Sequence, residues 1–143
     1  LAVSIFGYAC YGREPGIGQY LDDFVRLGLI VSCMAYPSHY SCNDGAPDPN
    51  TIPYEIYVKT HEKARAYLAG FGLRAEFIPW VQGFDFRNIN GCGGRKIAYA
   101  SDPHHFRKQI KACNALGIYS WFVWPSKLAF SRKDLYLPKN NIP

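Results

Sequence analysis

Apolar and polar positions along the chain alternate between two periods. Short apolar runs at residues 1–6, 29–36, 73–82 and 118–124 read as strands. Between them, apolar residues recur every three or four positions. Leu21, Phe24 and Val25 give one helical face over residues 18–27, with Gly28 in the C′ position. Tyr54, Tyr57, Val58, His61, Ala64, Tyr67 and Leu68 give a longer face, ended by Gly70 and Gly72. Phe106, Ile110 and Cys113 stripe a third helix, with Asp102 as its cap, Pro103 at its first position and Gly117 closing it. Pro79 falls inside the third apolar run. A proline cannot donate to a ladder, so it is expected to mark the last turn of that strand's pairing.

The resulting order, βαβαβαβ, predicts an α/β fold with a parallel sheet and right-handed crossovers. The whole chain, residues 1–143, is expected to form a single domain. Such units can make a small open sheet, or this chain can supply half of a (β/α)8 TIM-barrel-like fold. The residues just beyond each strand favour the half-barrel. The first strand is followed by Tyr8, Tyr11 and Arg13, and the second by Tyr36, Ser38, His39 and Tyr40. The third is followed by Trp80, Gln82, Asp85 and Arg87, and the fourth by Trp124, Ser126 and Lys127. In a barrel these clusters converge on the C-terminal face of the strands.

Flat rings beside hydroxyl, amide and carboxylate groups suit a sugar, which has an apolar C–H face and a hydroxyl rim. Tyr8, Tyr36, His39, Tyr40, Trp80, Gln82 and Trp124 are therefore the candidate sugar contacts. His39 is placed to act as an acid or base or to orient a hydroxyl. His61 lies mid-helix and is expected to pack; His104 and His105 fall in a helix's first turn. Asp85 is the one carboxylate immediately beyond a strand, which makes it the candidate catalytic acid or base. Asp44, Asp48 and Glu55 lie farther off, and Asp22, Asp23 and Glu62 fall on helices, where solvation is expected. Glycoside hydrolysis uses two carboxylates, ~5–5.5 Å apart in retaining enzymes and ~6.5–9.5 Å apart in inverting ones. No complete pair is evident.

Charge and cysteine content trim the alternatives. The net charge of +5 is spread over Lys59, Lys63 and Arg65, over Arg107, Lys108 and Lys111, and over Lys127, Arg132 and Lys133. These groups read as solvated helix faces, and no nucleic-acid motif accompanies them, so specific nucleic-acid binding is not expected. No apolar run reaches the ~18 residues of a membrane span. The glycine-rich stretch at residues 90–96 matches neither a P-loop nor GxGxxG, and no cofactor is expected. None of the five cysteines falls in a Cys-x-x-Cys pair, which disfavours zinc, and no metal site is assigned from Cys33, His39 and Cys42. Cys33 and Cys113 read as small buried hydrophobes, whereas Cys10, Cys42 and Cys92 lie in loop-like segments where a disulfide is an open option.

Phe6-Gly7-Tyr8, Gly16-Ile17-Gly18-Gln19, Met34-Ala35-Tyr36-Pro37-Ser38-His39-Tyr40, Pro53-Tyr54-Glu55, Pro79-Trp80-Val81-Gln82, Gln109-Ile110 and Trp121-Phe122-Val123-Trp124 occur in order. Together they resemble the C-terminal half of the glycoside hydrolase-like domain family DUF4015. The resemblance covers nearly the whole chain, and Tyr-Pro-Ser-His-Tyr is its most specific element. It implies that the four strands are barrel strands five to eight, that the ligand is a carbohydrate, and that the setting is extracellular or the cell envelope. The chain departs from the family at three places. It lacks an Asp-Tyr-x-Arg-Phe-Pro element, Leu29 stands where an aspartate is common, and Pro125 follows Trp124 where Asn is usual. The resemblance thus implies a carbohydrate-active barrel fragment or a non-catalytic carbohydrate-binding module derived from one. A half-barrel leaves open strand edges, so a preceding N-terminal half or self-association is expected; the chain opens on Leu1, already in a strand.

Overall fold

The structure is a computed structural model that describes residues 1–42, 48–85 and 103–125. Strand β1 (Ala2–Phe6) pairs in parallel with β4 (Ile30–Met34), placing Ser4 beside Ser32 and Phe6 beside Met34. Strand β5 (Trp80–Gly83) pairs in parallel with β6 (Phe122–Pro125). Val31 joins the two pairs. Its amide donates to the Glu76 carbonyl at 2.9 Å, and its carbonyl accepts from the Ile78 amide at 3.0 Å. The parallel strands therefore succeed one another in sequence order, without the reversal that marks a doubly wound sheet.

The helices follow the periodicity. Helix α1 (Leu21–Arg26) is shorter at its start than expected, and Gly28 adopts φ 73° just beyond it. Residues 18–20 are spent otherwise: β2 (Arg13–Glu14) and β3 (Gln19–Tyr20) make a small antiparallel hairpin inside the tyrosine- and glycine-rich loop. Helix α2 (Pro53–Ala69) buries Ile56, Tyr57, Thr60, His61, Ala64 and Leu68, and packs against α3 (Pro103–Ala115). Phe106, Ile110 and Cys113 are buried as the stripe predicts. Asp102, the expected cap of α3, lies outside the described residues.

Pro79 does not end a ladder. It stands where the third strand changes neighbours: residues 76–78 lie beside β4, and the Pro79 carbonyl accepts from the Phe122 amide at 2.9 Å as β5 turns to β6. The missing N–H falls at this junction, where no partner is needed.

Strand side chains alternate between two faces. Ile5, Val31, Cys33 and Val81 are buried and join the helix residues in one core. On the opposite face, the Trp80 indole N–H reaches across to Ser4 Oγ at 2.9 Å, and its ring lies against Phe122 and Trp124. Phe122 is 42% and Trp124 53% exposed. On this second face Ser4, Trp80, Phe122 and Trp124 are at least partly exposed, whereas Ser32 and Gln82 are buried.

Two expectations about single residues are corrected. Cys33 is buried but is no free hydrophobe: it forms a disulfide with Cys10, and Cys42 is disulfide-bonded as well. Cys113 is the free cysteine among the described residues. Asp22 is not solvated. It is 2% exposed, accepts two bonds from the Arg13 guanidinium (2.6 and 3.2 Å) and accepts a third from the Tyr67 hydroxyl at 2.9 Å. The Arg13 bond holds the Asp22 carboxyl below the usual carboxylate range, so this carboxylate fixes the hairpin to α2 and is not available for chemistry.

Candidate active site

At the C-terminal end of β4, Pro37 begins a 3₁₀ turn (Pro37–His39) with its fixed φ, which turns the chain sharply over the strand end. The turn separates the two tyrosines of the motif. Tyr40 folds inward and is 1% exposed. Its ring packs on Tyr8 and Tyr11, at centroid distances of 5.0 and 6.2 Å, and its hydroxyl meets Thr60 Oγ1 at 2.8 Å. Thr60 donates to the Ile56 carbonyl, so Tyr40 is the donor in that pair. The Tyr8 hydroxyl accepts from the Ser41 amide at 2.7 Å. Gly7 lies beneath: a Cβ there would stand 2.5 Å from the Tyr40 hydroxyl oxygen and 2.9 Å from the Met34 carbonyl. Tyr8 and Tyr40, both candidate sugar contacts by sequence, thus build a wall, and Tyr40 presents no surface to a ligand.

Tyr36 goes the other way. It forms an aromatic cup with His39 and Phe84, with centroids 5.6 Å and 5.2 Å from its own, and Phe6 closes the side at 6.1 Å from His39. The Tyr36 hydroxyl is buried and has no hydrogen-bond partner among the described residues. Burial raises its pKa and lowers that of His39, so both rings are neutral near pH 7. Asp85 follows Phe84 directly and is half-buried at this strand end.

Gln82, a candidate sugar contact by sequence, is fully buried. Its Oε1 accepts from the Ser38 amide (3.2 Å) and hydroxyl (3.1 Å), and its Nε2 donates to the Phe84 carbonyl at 3.1 Å. The Gln109 side chain on α3 clamps the Gln82 backbone from both sides, accepting from its N–H at 2.9 Å and donating to its carbonyl at 3.0 Å. Trp80 and Trp124 meet edge to face at 5.4 Å beyond the cup, on the partly exposed sheet face. Ser126, Lys127, Arg87, Asp44, Cys92 and the stretch at 90–96 lie outside the described residues.

Sequence reasoning missed Phe84, Phe6 and Gln109 as parts of this site. The signal for Phe84 was available: it stands two residues after Gln82, immediately beyond β5, where the candidate chemistry was sought. Gln109 stood in the Gln109-Ile110 element of the family resemblance, but a polar residue beside the stripe of α3 gives no local sign that it is buried. Its burial follows only from the amide pair it completes with Gln82.

The match that decides the family spans most of the chain: residues 1–130 fit the model of DUF4015, described as "Putative glycosyl hydrolase domain". The chain belongs to this family. A search of curated proteins finds no match. Among solved structures it is similar to the PgaB (BpsB) glycoside hydrolase domain from Bordetella bronchiseptica, with 20% identity and a TM-score of 0.49 over 87% of this chain. The chain covers 30% of that structure. As a DUF4015 member, it is a glycosyl-hydrolase-like domain with a mixed helix and strand fold built on parallel strands. Among its described residues no helix is long and apolar enough to cross a membrane, and no three His, Cys, Asp or Glu side chains stand close enough to hold a metal.

Proposed function

We propose that the Tyr36–His39–Phe84 cup binds a carbohydrate, that the partly exposed sheet face is the interior of a (β/α)8 barrel, and that the chain acts in polysaccharide hydrolysis. The buried, unpartnered Tyr36 hydroxyl carries the reading. An orphaned polar group costs about 1–3 kcal/mol, a cost that a ligand hydroxyl bonding to it would offset. The surrounding rings offer the apolar faces that sugar C–H groups stack on. Trp80 and Trp124 extend that surface, and sequential parallel strands with one partly exposed face are what a barrel segment supplies. The disulfides fit an oxidising compartment, where extracellular polysaccharides are met.

In this reading Asp85 acts on the glycosidic bond as acid or base, and Tyr36 and His39 hold ring hydroxyls. A second reading, a binding module without turnover, is favoured by the carboxylates. Asp22 is tied to Arg13, Asp48 accepts from the Asn50 amide at 3.0 Å, and no second carboxylate among the described residues directly follows a parallel strand as Asp85 follows β5 and Phe84.

The test is binding to a panel of immobilised polysaccharides, with release of reducing ends measured in parallel, for the parent chain and Asp85→Asn. Binding in both with release only by the parent supports hydrolysis. Binding in both without release sinks the enzyme reading and leaves the module. No binding by either removes the carbohydrate site.

A further inference from the structure

The hydrogen bonds around Ser38 favour one arrangement of protons. A backbone N–H only donates and a carbonyl only accepts, so the Ser38 amide and the Phe84 carbonyl fix which end of the Gln82 amide is oxygen. That oxygen cannot donate, so Ser38 spends its single hydroxyl proton on Gln82. Ser38 Oγ also lies 2.9 Å from His39 Nδ1. With its proton on Gln82 the hydroxyl accepts there from Nδ1–H; the other arrangement, Ser38 donating to Nδ1, sets the hydroxyl oxygen 3.1 Å from the Gln82 oxygen with no proton between them.

We infer that Gln82 is a positioning residue that, through Ser38, holds neutral His39 with its proton on Nδ1 and so makes Nε2 the ring's accepting nitrogen. The Gln109 clamp makes this rigid: it fixes the Gln82 backbone on both sides, and Pro37 fixes the turn that carries Ser38 and His39. A solvated neutral histidine side chain prefers its proton on Nε2, so the protein opposes the intrinsic preference. Resting on the reading of the cup as a sugar site, the assignment means that in any hydrogen bond between His39 Nε2 and a ligand hydroxyl the hydroxyl donates, whereas the Tyr36 hydroxyl can donate to the ligand.

The test is imidazole 15N–1H correlation spectroscopy of the labelled chain at about pH 8, above the ordinary imidazole range. His39→Gln assigns the His39 resonances. The expected spectrum has His39 Nδ1 protonated and Nε2 unprotonated; the reverse pattern in the parent overturns the inference whatever the polysaccharide assay finds. Gln82→Leu removes the acceptor, freeing the Ser38 proton for Nδ1, and is expected to move the His39 proton to Nε2. Ser38→Thr keeps the hydroxyl and is expected to keep the parent pattern, whereas Ser38→Ala loses it. A folded Gln82→Leu chain with an unchanged tautomer would remove Gln82 from the role. If Gln82→Leu does not fold, the parent, Ser38→Thr and Ser38→Ala spectra still decide whether Ser38 transmits the constraint.

Discussion

Tyr36 and Tyr40 stand four positions apart in one motif and mark two regions with opposite designs. At Tyr40 the hydroxyl donates to Thr60, the neighbouring Tyr8 hydroxyl accepts from Ser41, and the Cys10–Cys33 disulfide ties the turn after β1 to β4. Around Tyr36 the rings are just as close, but the hydroxyl is left without a partner among the described residues. Packing alone does not separate the two regions. The two hydroxyls do: that of Tyr40 has a partner in Thr60, and that of Tyr36 has none among the described residues.

The largest effect that tests this contrast is at Tyr40. Tyr40→Ala empties a fully enclosed site and is expected to cost about 3–5 kcal/mol in denaturant unfolding, as for other buried aromatics. A loss under about 1 kcal/mol would mean that this wall is loosely packed and the contrast false. Next comes the disulfide. Replacing Cys10 and Cys33 together by Ala frees a loop of sequence separation 23 and is expected to lower stability by about 3 kcal/mol. The same variant is expected to leave polysaccharide binding unchanged once the chain is folded, since the disulfide does not line the cup.

The two histidines sharpen the comparison through pH. His61 donates from Nδ1 to the Tyr57 carbonyl at 2.8 Å, stacks on Tyr57 and is fully buried. Burial lowers its pKa to about 4, with Arg65 adding in the same direction. The unfolded chain, with an ordinary imidazole near 6.5, therefore binds the proton first. Stability is complete above about pH 6.5, falls as pH drops toward 4, and loses up to about 3 kcal/mol from this group. In His61→Phe that part of the acid loss is expected to vanish from pH-dependent unfolding curves. An unchanged slope between those pH values would show that His61 is not held neutral.

How much of this was legible from the chain depends on range. The strands, α2 and the α3 stripe follow from local period, and Gly28, Gly72 and Gly117 end their helices with positive φ as glycines do. The hairpin at residues 13–20 was hidden because two-residue strands carry no period, and with it went the Arg13–Asp22 pair. The disulfide was hidden because five cysteines allow many pairings and Cys33 sits in an apolar run. In the candidate site, the residue types were legible and their directions were not. Tyr-Pro-Ser-His-Tyr offers two tyrosines and no local rule for which turns inward. That choice is set from a distance, by Thr60 on α2 and by the missing Cβ of Gly7.

The smallest expected change in stability is the most discriminating. Tyr36→Phe removes a hydroxyl that is buried without a partner, so the folded chain is expected to be unchanged or more stable by up to about 1 kcal/mol. Tyr40→Phe removes a donor from a satisfied pair and is expected to cost about 1 kcal/mol. The order reverses for ligand. On whichever polysaccharide the parent binds, Tyr36→Phe is expected to weaken binding about tenfold, the equivalent of one lost hydrogen bond of about 1.4 kcal/mol, while Tyr40→Phe leaves it unchanged. Unfolding curves and binding isotherms on the same two variants check both halves. If the two substitutions destabilise alike and neither affects binding, the Tyr36 hydroxyl is core like Tyr40, and the cup loses its claim to a ligand. If they diverge in opposite directions, the motif holds one tyrosine for the fold and one for the sugar.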